Sequence, residues 1–461
     1  MSVRSSSARR DLRSDERSAT CARSTPLVST LARALLVLAG LVASLGAAVT
    51  PAAAGGPAAP TWRQLTSPQP PARENGAMAY DPATRQVVLF GGLNNNYQPI
   101  SDTWIWNGKT WKEVVPSQSP SVRFGASMAY DAATGQLVLF GGEEVVGGLG
   151  HGGELNDTWI WSGRTWTELS PASRPGGRAY ASLAYDAATR QLVLFGGENP
   201  DAFSFYSDTW TWNGTTWTEA SASTSVLGAR DGTAMAYDAA AHKLVLFGGQ
   251  NSGGLDLGDT WTWNGSSWAE SHPSTAPPTL GGASMGYDQA TGQLVLFGGQ
   301  DAGPLLNQTW TWSGATWSRS TPSKSPPARA FATMAYDAHT SQLLLFSGYP
   351  ALDDTWTWGV LATTAGPPRF VKATAGKDKV TLSWKAPTSD GGSAVTGYDV
   401  YEGTKSGHEA SKPLTAKPLS PHASSFVVRG LNKGVKYYFV VRAINAVGAG
   451  AASHQASATP T

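Results

Sequence analysis

The pattern of hydrophobic and polar positions repeats six times between residues 61 and 359. Each copy has an apolar run ending in a Tyr-Asp pair, a polar connector, and a second run ending in Leu-Phe-Gly-Gly or a close variant. The six tyrosines are 50, 55, 52, 50 and 49 residues apart: Tyr80, Tyr130, Tyr185, Tyr237, Tyr287 and Tyr336. Because short apolar runs separated by turn-forming residues are typical of strands, the first half of each copy predicts a β-hairpin.

The second half of each copy predicts another hairpin. In the second copy the run from Thr158 to Trp161 alternates, so that Trp159 and Trp161 lie on one face of a strand. A Ser-Gly or Asn-Gly turn then leads to a third tryptophan, Trp166. Each copy therefore predicts a four-stranded antiparallel meander, with strands A to D. Its sheet is apolar on both faces, and neighbouring sheets in a ring would cover both.

The two ends of the repeat region predict how this ring closes. The sixth copy stops after Trp358 with no turn and no third tryptophan, so its strand D is missing. The segment from Thr61 to Leu65 resembles strand D of the first copy, from Thr110 to Val114. We expect it to complete the sixth sheet, because 18 of the 19 tryptophans then divide as three per sheet.

A period near 50 residues with a double glycine after an apolar strand resembles the kelch repeats of the galactose-oxidase central-domain type. Over residues 61–359 this resemblance implies an all-β fold, a six-bladed kelch-type β-propeller closed by an N-terminal strand. Residues 367–461 resemble a fibronectin type III β-sandwich: Trp384 falls on the second strand, and Leu431 precedes Tyr437 by six residues, the spacing of a tyrosine corner. Residues 55–60 and 360–366 are expected to be linkers.

Residues 1–54 are predicted to be a secretory signal peptide. Seven arginines and three acids precede an apolar run from Ala34 to Val49, which is followed by Ala52-Ala53-Ala54. A basic region, an apolar core and small residues at the cleavage site form such a signal. A membrane anchor is the alternative, but the run is short and interrupted by glycine. We therefore expect a secreted, extracellular protein with no membrane insertion after cleavage; association with the cell wall is left open.

Composition argues against several classes of function. Without residues 1–54 the chain has 27 basic and 30 acidic residues, and this balance does not predict a nucleic-acid partner. The one cysteine, Cys21, lies in the leader, and the seven histidines are scattered without ligand spacing. We expect no cofactor and no metal, and copper chemistry like that of galactose oxidase is disfavoured.

The acidic residues leave an enzyme as the alternative. Aspartates follow strand A in every copy and are interpreted as turn residues: Asp81, Asp131, Asp186, Asp238, Asp288 and Asp337. Five acids at non-repeated loop positions are candidates for acid/base chemistry: Glu143, Glu144, Glu154, Glu198 and Asp201. A glycosidase needs two carboxylates across one cleft, and the sequence alone does not show such a pair.

The loops predict which end of the propeller binds a ligand. The A-to-B and C-to-D turns at one end are nearly uniform, whereas the B-to-C connections at the other end vary in length and composition. On this varied face an arginine precedes strand A in five copies, and with strand A innermost these arginines are expected to form a broken cationic ring near the central channel: Arg73, Arg123, Arg178, Arg230 and Arg329. Loop aromatics outside the repeated positions accompany them: Tyr97, Phe124, Tyr180, Phe203, Phe205, Tyr206 and Phe331.

These candidate ligand-binding residues suit an acidic glycan or acidic peptide, because guanidinium groups bind carboxylates and aromatic faces stack on sugars. The alternative is that the arginines pair with Glu143, Glu198 and other loop acids. The hypothesis is a secreted, monomeric, non-catalytic binding or scaffolding protein for extracellular glycan or protein. The alternative function is a carbohydrate-active enzyme or an accessory module in polysaccharide degradation.

Overall fold

The computed structural model describes residues 59–145, 153–199, 204–220, 227–360 and 363–461. The predicted signal peptide and Phe203 lie outside the described residues. Within the described ranges the chain forms six four-stranded antiparallel sheets followed by a separate β-sandwich. Strands A of consecutive sheets are neighbours, and the strand A of the sixth sheet adjoins that of the first. The six sheets are therefore the blades of a closed propeller, as predicted.

In every blade, strand A lies next to strand B at the inner edge of the sheet. The A strands of blades 1 to 6 are Ala77–Asp81, Ser127–Asp131, Ser182–Asp186, Ala234–Asp238, Ser284–Asp288 and Thr333–Asp337. The B strands are Gln86–Leu93, Gln136–Glu143, Gln191–Phe195, Lys243–Phe247, Gln293–Phe297 and Gln342–Phe346. The apolar run of each strand B is fully buried because it is covered on both faces of its sheet.

Strands C and D complete each sheet on the outside of the ring. The C strands are Pro99–Trp106, Glu154–Trp161, Thr209–Trp212, Thr260–Trp263, Thr309–Trp312 and Thr355–Gly359. The D strands of blades 1 to 5 are Trp111–Val114, Trp166–Leu169, Trp217–Glu219, Trp268–Ser271 and Trp317–Ser320. Strand D of blade 6 is the N-terminal strand Thr61–Gln64, which places Trp62 opposite Trp358. This confirms the predicted closure.

The same two contacts recur at all six blade interfaces. The phenylalanine of strand B packs against the strand-D tryptophan of the following blade, with ring centroids 5.0–5.6 Å apart. That tryptophan donates its indole N–H to a threonine hydroxyl on strand C of the preceding blade, at 2.8–3.1 Å. The repeated tryptophans thus have a structural role, since this hydrogen bond satisfies a donor that burial would otherwise leave without a partner.

The repeated turn aspartates are structural as well. The Oδ1 atom of each one accepts a backbone N–H two residues later, as in Ala83 N–H to Asp81 at 2.9 Å. Such local acceptance is why aspartate favours turns.

The C-terminal region forms two sheets that pack as a sandwich. One contains Arg369–Gly376, Lys379–Lys385 and Ser425–Arg429, and the other contains Gly397–Gly403, Tyr437–Asn445, Gly448–Ala449 and Ala456–Ala458. Trp384 and Tyr398 lie in the core between them. The Tyr437 hydroxyl accepts the backbone N–H of Asn432 at 3.1 Å, which is the predicted tyrosine corner.

Candidate functional site

The five arginines that precede strand A are buried inside their blades. Four are 1% exposed and Arg230 is 5% exposed. Each forms an ion pair of 2.5–2.7 Å with the aspartate that begins the Asp-Thr-Trp segment of strand C in the same blade. In blade 6, both terminal nitrogens of Arg329 donate to the two carboxylate oxygens of Asp354, and one also donates to the Ser347 carbonyl.

The prediction that these arginines form a cationic ring around the channel is therefore wrong. A position before strand A indicates the face on which a residue lies, but the long side chain turns into the blade, where an aspartate neutralises it. The arginines pair with acids of the chain, as the alternative held, but their partners are these aspartates rather than Glu143 and Glu198. Burial alone would raise the pKa of Asp208, but hydrogen bonds and charge from Arg178 lower it below its ordinary value.

Blade 5 shows that the arginine and aspartate act as a pair. There, Leu280 replaces the arginine and Gln308 replaces the aspartate, and Leu280 is buried. Gln308 still accepts the indole N–H of Trp310 at 3.0 Å, as the aspartates do for the equivalent tryptophans. The joint replacement was a signal in the sequence that the two residues contact each other.

The channel is narrowed by a closed ring of backbone hydrogen bonds, which we call the neck. One residue from each blade donates its N–H to the carbonyl of its neighbour in the preceding blade, at 2.7–3.2 Å. All six have left-handed φ angles between 54° and 66°: Asn75, Gly125, Tyr180, Gly232, Gly282 and Phe331. Each blade thus contributes an identical backbone hydrogen bond while the side chain at that position is free to differ.

Two aromatic residues occupy neck positions that favour glycine or asparagine. Tyr180 of blade 3 and Phe331 of blade 6 lie across the ring from one another, and their ring centroids are 6.1 Å apart. Phe124 extends this group, 6.1 Å from Tyr180. A Cβ atom on Gly282 would lie 2.7 Å from the Phe331 ring, so that glycine makes room for it. A left-handed bulky residue costs about 1–3 kcal/mol, and such strain clusters at functional sites.

Above the neck, on the varied face, the channel opens into a cavity of about 470 Å³, which we call the mouth. Tyr180 and Phe331 line its floor, and carboxylates from blades 1, 3 and 4 line its sides. Its lining residues are Glu74, Asn75, Leu93, Tyr180, Glu198, Asp231, Gln250, Gln300, Phe331 and Tyr349. The mouth is therefore acidic and aromatic, the reverse of the predicted charge.

The electrostatics of the mouth follow from burying several acids together. Burial raises the pKa of Asp231 to about 7, and the charge of Glu198 adds to the rise. Burial also raises the pKa of Glu74. The pKa of Tyr180 is raised well above its ordinary value by burial first, and then by Glu143, Glu198, Asp231 and Glu74. Four carboxylates therefore act on one phenol, which stays neutral.

Of the other predicted aromatics that the structure describes, none lines this cavity. Tyr97 is 68% exposed on the B-to-C loop of blade 1. Tyr206 lies over the Arg178 guanidinium at 3.8 Å and donates its hydroxyl to the Gly177 carbonyl. Phe205 pairs by its backbone with Glu198. Of the predicted set, the structure brings together Phe124, Tyr180 and Phe331, while Phe203 lies outside the described residues.

The opposite end of the channel holds a second cavity, of about 530 Å³. All six repeated tyrosines line it, together with methionine, leucine and alanine side chains of the A strands. This end repeats from blade to blade, as its sequence predicted.

Sequence reasoning missed Glu74, Asp231, Gln250 and Gln300, and it weighed Glu198 as an acid/base candidate or a partner of an arginine rather than as a residue of the cavity. They occupy two positions in each blade, the residue after the arginine (Leu280 in blade 5) and the residue after the double glycine (Ser347-Gly348 in blade 6). The first series is Glu74, Phe124, Ala179, Asp231, Gly281 and Ala330, and the second is Leu93, Glu143, Glu198, Gln250, Gln300 and Tyr349. Variation at a fixed place within a regular repeat was the signal that could have identified them.

The described ranges contain neither a group of metal ligands nor a membrane-spanning helix. No three His, Cys, Asp or Glu side chains there are grouped so that they could hold a metal ion. None of the described segments forms a helix long and apolar enough to cross a membrane.

The closed ring of four-stranded blades and the sandwich that follows it define a β-propeller protein with a C-terminal interaction domain. Residues 57–215 and 183–358 match the family described as the KLHDC2/KLHL20/DRC7 Kelch-repeats domain, and these matches together span more than half of the chain. Residues 366–459 match the fibronectin type III domain. The chain belongs to the kelch-repeat family and carries a fibronectin type III domain after its propeller.

Two individual proteins are similar to parts of this chain. Titin of Drosophila melanogaster is 33% identical over 94 residues, which is 20% of this chain and 0% of titin. The chain thus spans almost none of that relative's length. A solved structure described as "Structure of YjhT" is 18% identical with a TM-score of 0.48, and the alignment covers 64% of this chain and 95% of the other. Kelch repeats and fibronectin type III domains are protein-interaction modules.

Proposed function

We propose that this protein is a secreted, non-catalytic binding protein that recognises an extracellular protein through the varied-loop face of its propeller. The observation that carries the proposal is the mouth, a cavity of about 470 Å³ at the centre of that face. It lies within the size range of ligand pockets and combines aromatic and polar groups on a rigid scaffold. An extracellular location is supported by the basic region, apolar run and alanines of residues 1–54.

Selection of a random peptide display library on residues 55–461 tests the binding face, with a glycan array as the second arm. The variants Gln300→Ala and Tyr349→Ala change the mouth, while Lys109→Ala and Arg164→Ala change exposed residues of the uniform face. We expect the mouth variants to weaken selected peptides about tenfold and the uniform-face variants to leave affinity unchanged. Binding only to glycans, or binding lost with the uniform-face variants, would overturn the proposal.

Secretion has its own test. Expression of the complete chain in a bacterial host should release protein whose N-terminus lies at or shortly after Ala54. Retention in the cells with residues 1–54 still attached would show that this segment is not a cleaved signal.

One observation favours a second candidate function, a carbohydrate-active enzyme. A carboxyl group with a pKa of about 7, as at Asp231, suits general acid/base catalysis at neutral pH, and Glu198 is a second carboxyl group in the same cavity. Release of reducing ends from polysaccharides by the protein, lost in Asp231→Asn, would establish this function. We place it second because the domains present are interaction modules.

A further inference from the structure

Glu74 is a charged side chain buried in the mouth without a partner. The residue is 7% exposed, and its side chain lines the cavity. No residue in the described ranges donates a hydrogen bond to its carboxylate or forms an ion pair with it. Glutamates are almost never buried this far unless they are paired. The carboxylate therefore faces the mouth, and a partner bound there can reach it.

Asp231 faces the same space from blade 4. Its side chain interacts with the charges of Glu198 and Asp256 and with its own backbone N–H, so no cation in the described ranges compensates it. The neighbouring Arg230 does not compensate it, because its guanidinium group donates to Asp259 and to the Leu227 carbonyl. Glu74 and Asp231 thus bring to the mouth negative charge that no cation in the described ranges compensates.

The floor of the mouth adds an independent feature, because it is aromatic. The faces of Tyr180 and Phe331 carry negative electrostatic potential, which attracts organic cations. Both side chains are held at left-handed backbone positions whose counterparts in other blades are glycine or asparagine. Aromatic rings below carboxylates are the arrangement that binds ammonium and guanidinium groups.

We propose that the mouth binds one basic side chain of a protein partner, with its ammonium or guanidinium group held by Glu74 and Asp231 over Tyr180 and Phe331. This inference rests on the proposed function and names the chemistry of its ligand. A metal ion fits less well, because the acids in the described ranges are not grouped as ligands of one ion. The cavity of about 470 Å³ instead accepts a whole side chain.

Binding is then coupled to pH. A bound cation favours the ionised form of a carboxyl group, so Asp231 must release its proton when the ligand enters at neutral pH. The charged or titratable groups that face it are Glu198, Asp256, Glu74 and Tyr180. Affinity should therefore rise as pH increases from 6 to 8 and fall as Asp231 becomes protonated.

The test begins with peptides selected from a random display library on residues 55–461 and confirmed to bind the mouth by loss of affinity in Tyr349→Ala. We expect these peptides to share a lysine or arginine. Replacing that residue with its neutral analogue, norleucine for lysine or citrulline for arginine, should weaken binding at least about tenfold. Glu74→Gln and Asp231→Asn should each weaken it about tenfold at pH 8 without lowering the melting temperature. The matched control Asp353→Asn removes an exposed carboxylate and should change affinity less than twofold.

The outcomes separate this inference from the proposed function. Peptides that require Tyr349 but share no basic residue, or that are indifferent to Glu74→Gln and Asp231→Asn, overturn the inference and leave the protein-binding function standing. Peptides that bind only away from the mouth overturn both. A further outcome is that glucosamine oligomers bind with the same dependence on Glu74 and Asp231 and no peptide does. That result would show that the bound cation belongs to a glycan, and it would overturn the proposal of a protein partner.

Discussion

Replacing Arg329 with leucine leaves the Asp354 carboxylate buried without its cation. The two side chains are 0% and 12% exposed and are joined by hydrogen bonds of 2.6 and 2.8 Å. Removing one partner of a buried ion pair destabilises a protein by about 3–5 kcal/mol, because an uncompensated charge remains. We expect a loss of that size from Arg329→Leu, and a similar loss from Asp354→Gln.

The double variant Arg329→Leu/Asp354→Gln should lose far less free energy of unfolding than the two single variants lose together. It reproduces the pair that blade 5 already contains, Leu280 and Gln308, and the glutamine can still accept the indole N–H of Trp356. We expect the double variant to lie within about 2 kcal/mol of the parent protein, which corresponds to a strongly favourable coupling in a double-mutant cycle.

Equilibrium unfolding in guanidinium chloride, followed by tryptophan fluorescence, measures these differences. The signal reports the propeller, because 18 of the 19 tryptophans lie in it and the remaining one, Trp384, is in the sandwich. Additive losses in the double variant would refute the reasoning, since they would mean that each side chain stabilises the blade independently of the other.

Three further predictions concern other parts of the molecule. A chain beginning at Gln69 lacks strand D of blade 6, and its propeller should be insoluble or melt well below that of residues 55–461; equal melting would contradict closure by Trp62. The pKa of Asp231 is raised from 3.8 to about 7, so the stability that its protonated form contributes is present below pH 4 and lost as pH rises through 7. Asp231→Asn should therefore stabilise the protein at pH 8 by about 1–2 kcal/mol, after allowance for solvent screening. The same variant should give no advantage at pH 4. Tyr437→Phe removes the acceptor of the Asn432 N–H and should destabilise the sandwich by about 1–3 kcal/mol in calorimetry, while a transition of the propeller that shifted equally would argue against a local effect.

The sequence predicted the propeller well because its information is periodic and local. Alternation, turn residues and the spacing of Tyr-Asp pairs specify each blade, and the unmatched segment from Thr61 to Leu65 specifies the closure. The fibronectin type III domain was equally accessible, since the spacing between Leu431 and Tyr437 is fixed by one hydrogen bond across a corner.

The candidate site was harder because its character depends on where long side chains point. Arginine spans enough distance to lie at the channel or inside the blade, and only the three-dimensional contact with Asp354 or its equivalents decides between them. The carboxylates of the mouth were not predicted for a different reason, their separation in the sequence. Glu74 and Asp231 come from blades 1 and 4 and are 157 residues apart in sequence, and only the closed ring brings them to one cavity.

Buried charges have different surroundings at the positions that repeat in every blade and at the positions that vary between blades, and this difference favours a function at the mouth. Where a repeated position carries a buried charge, the chain supplies a partner within hydrogen-bond distance, as Arg329 does for Asp354. Glu74 and Asp231, at a position that varies between blades, have no cation of the described chain to neutralise them, and the folded state carries the electrostatic penalty. Glutamine and asparagine would remove that penalty with little change in shape. If the two acids serve a cationic ligand, Asp231→Asn must therefore gain stability under the same conditions in which it loses affinity, and a purely structural acid cannot give both results.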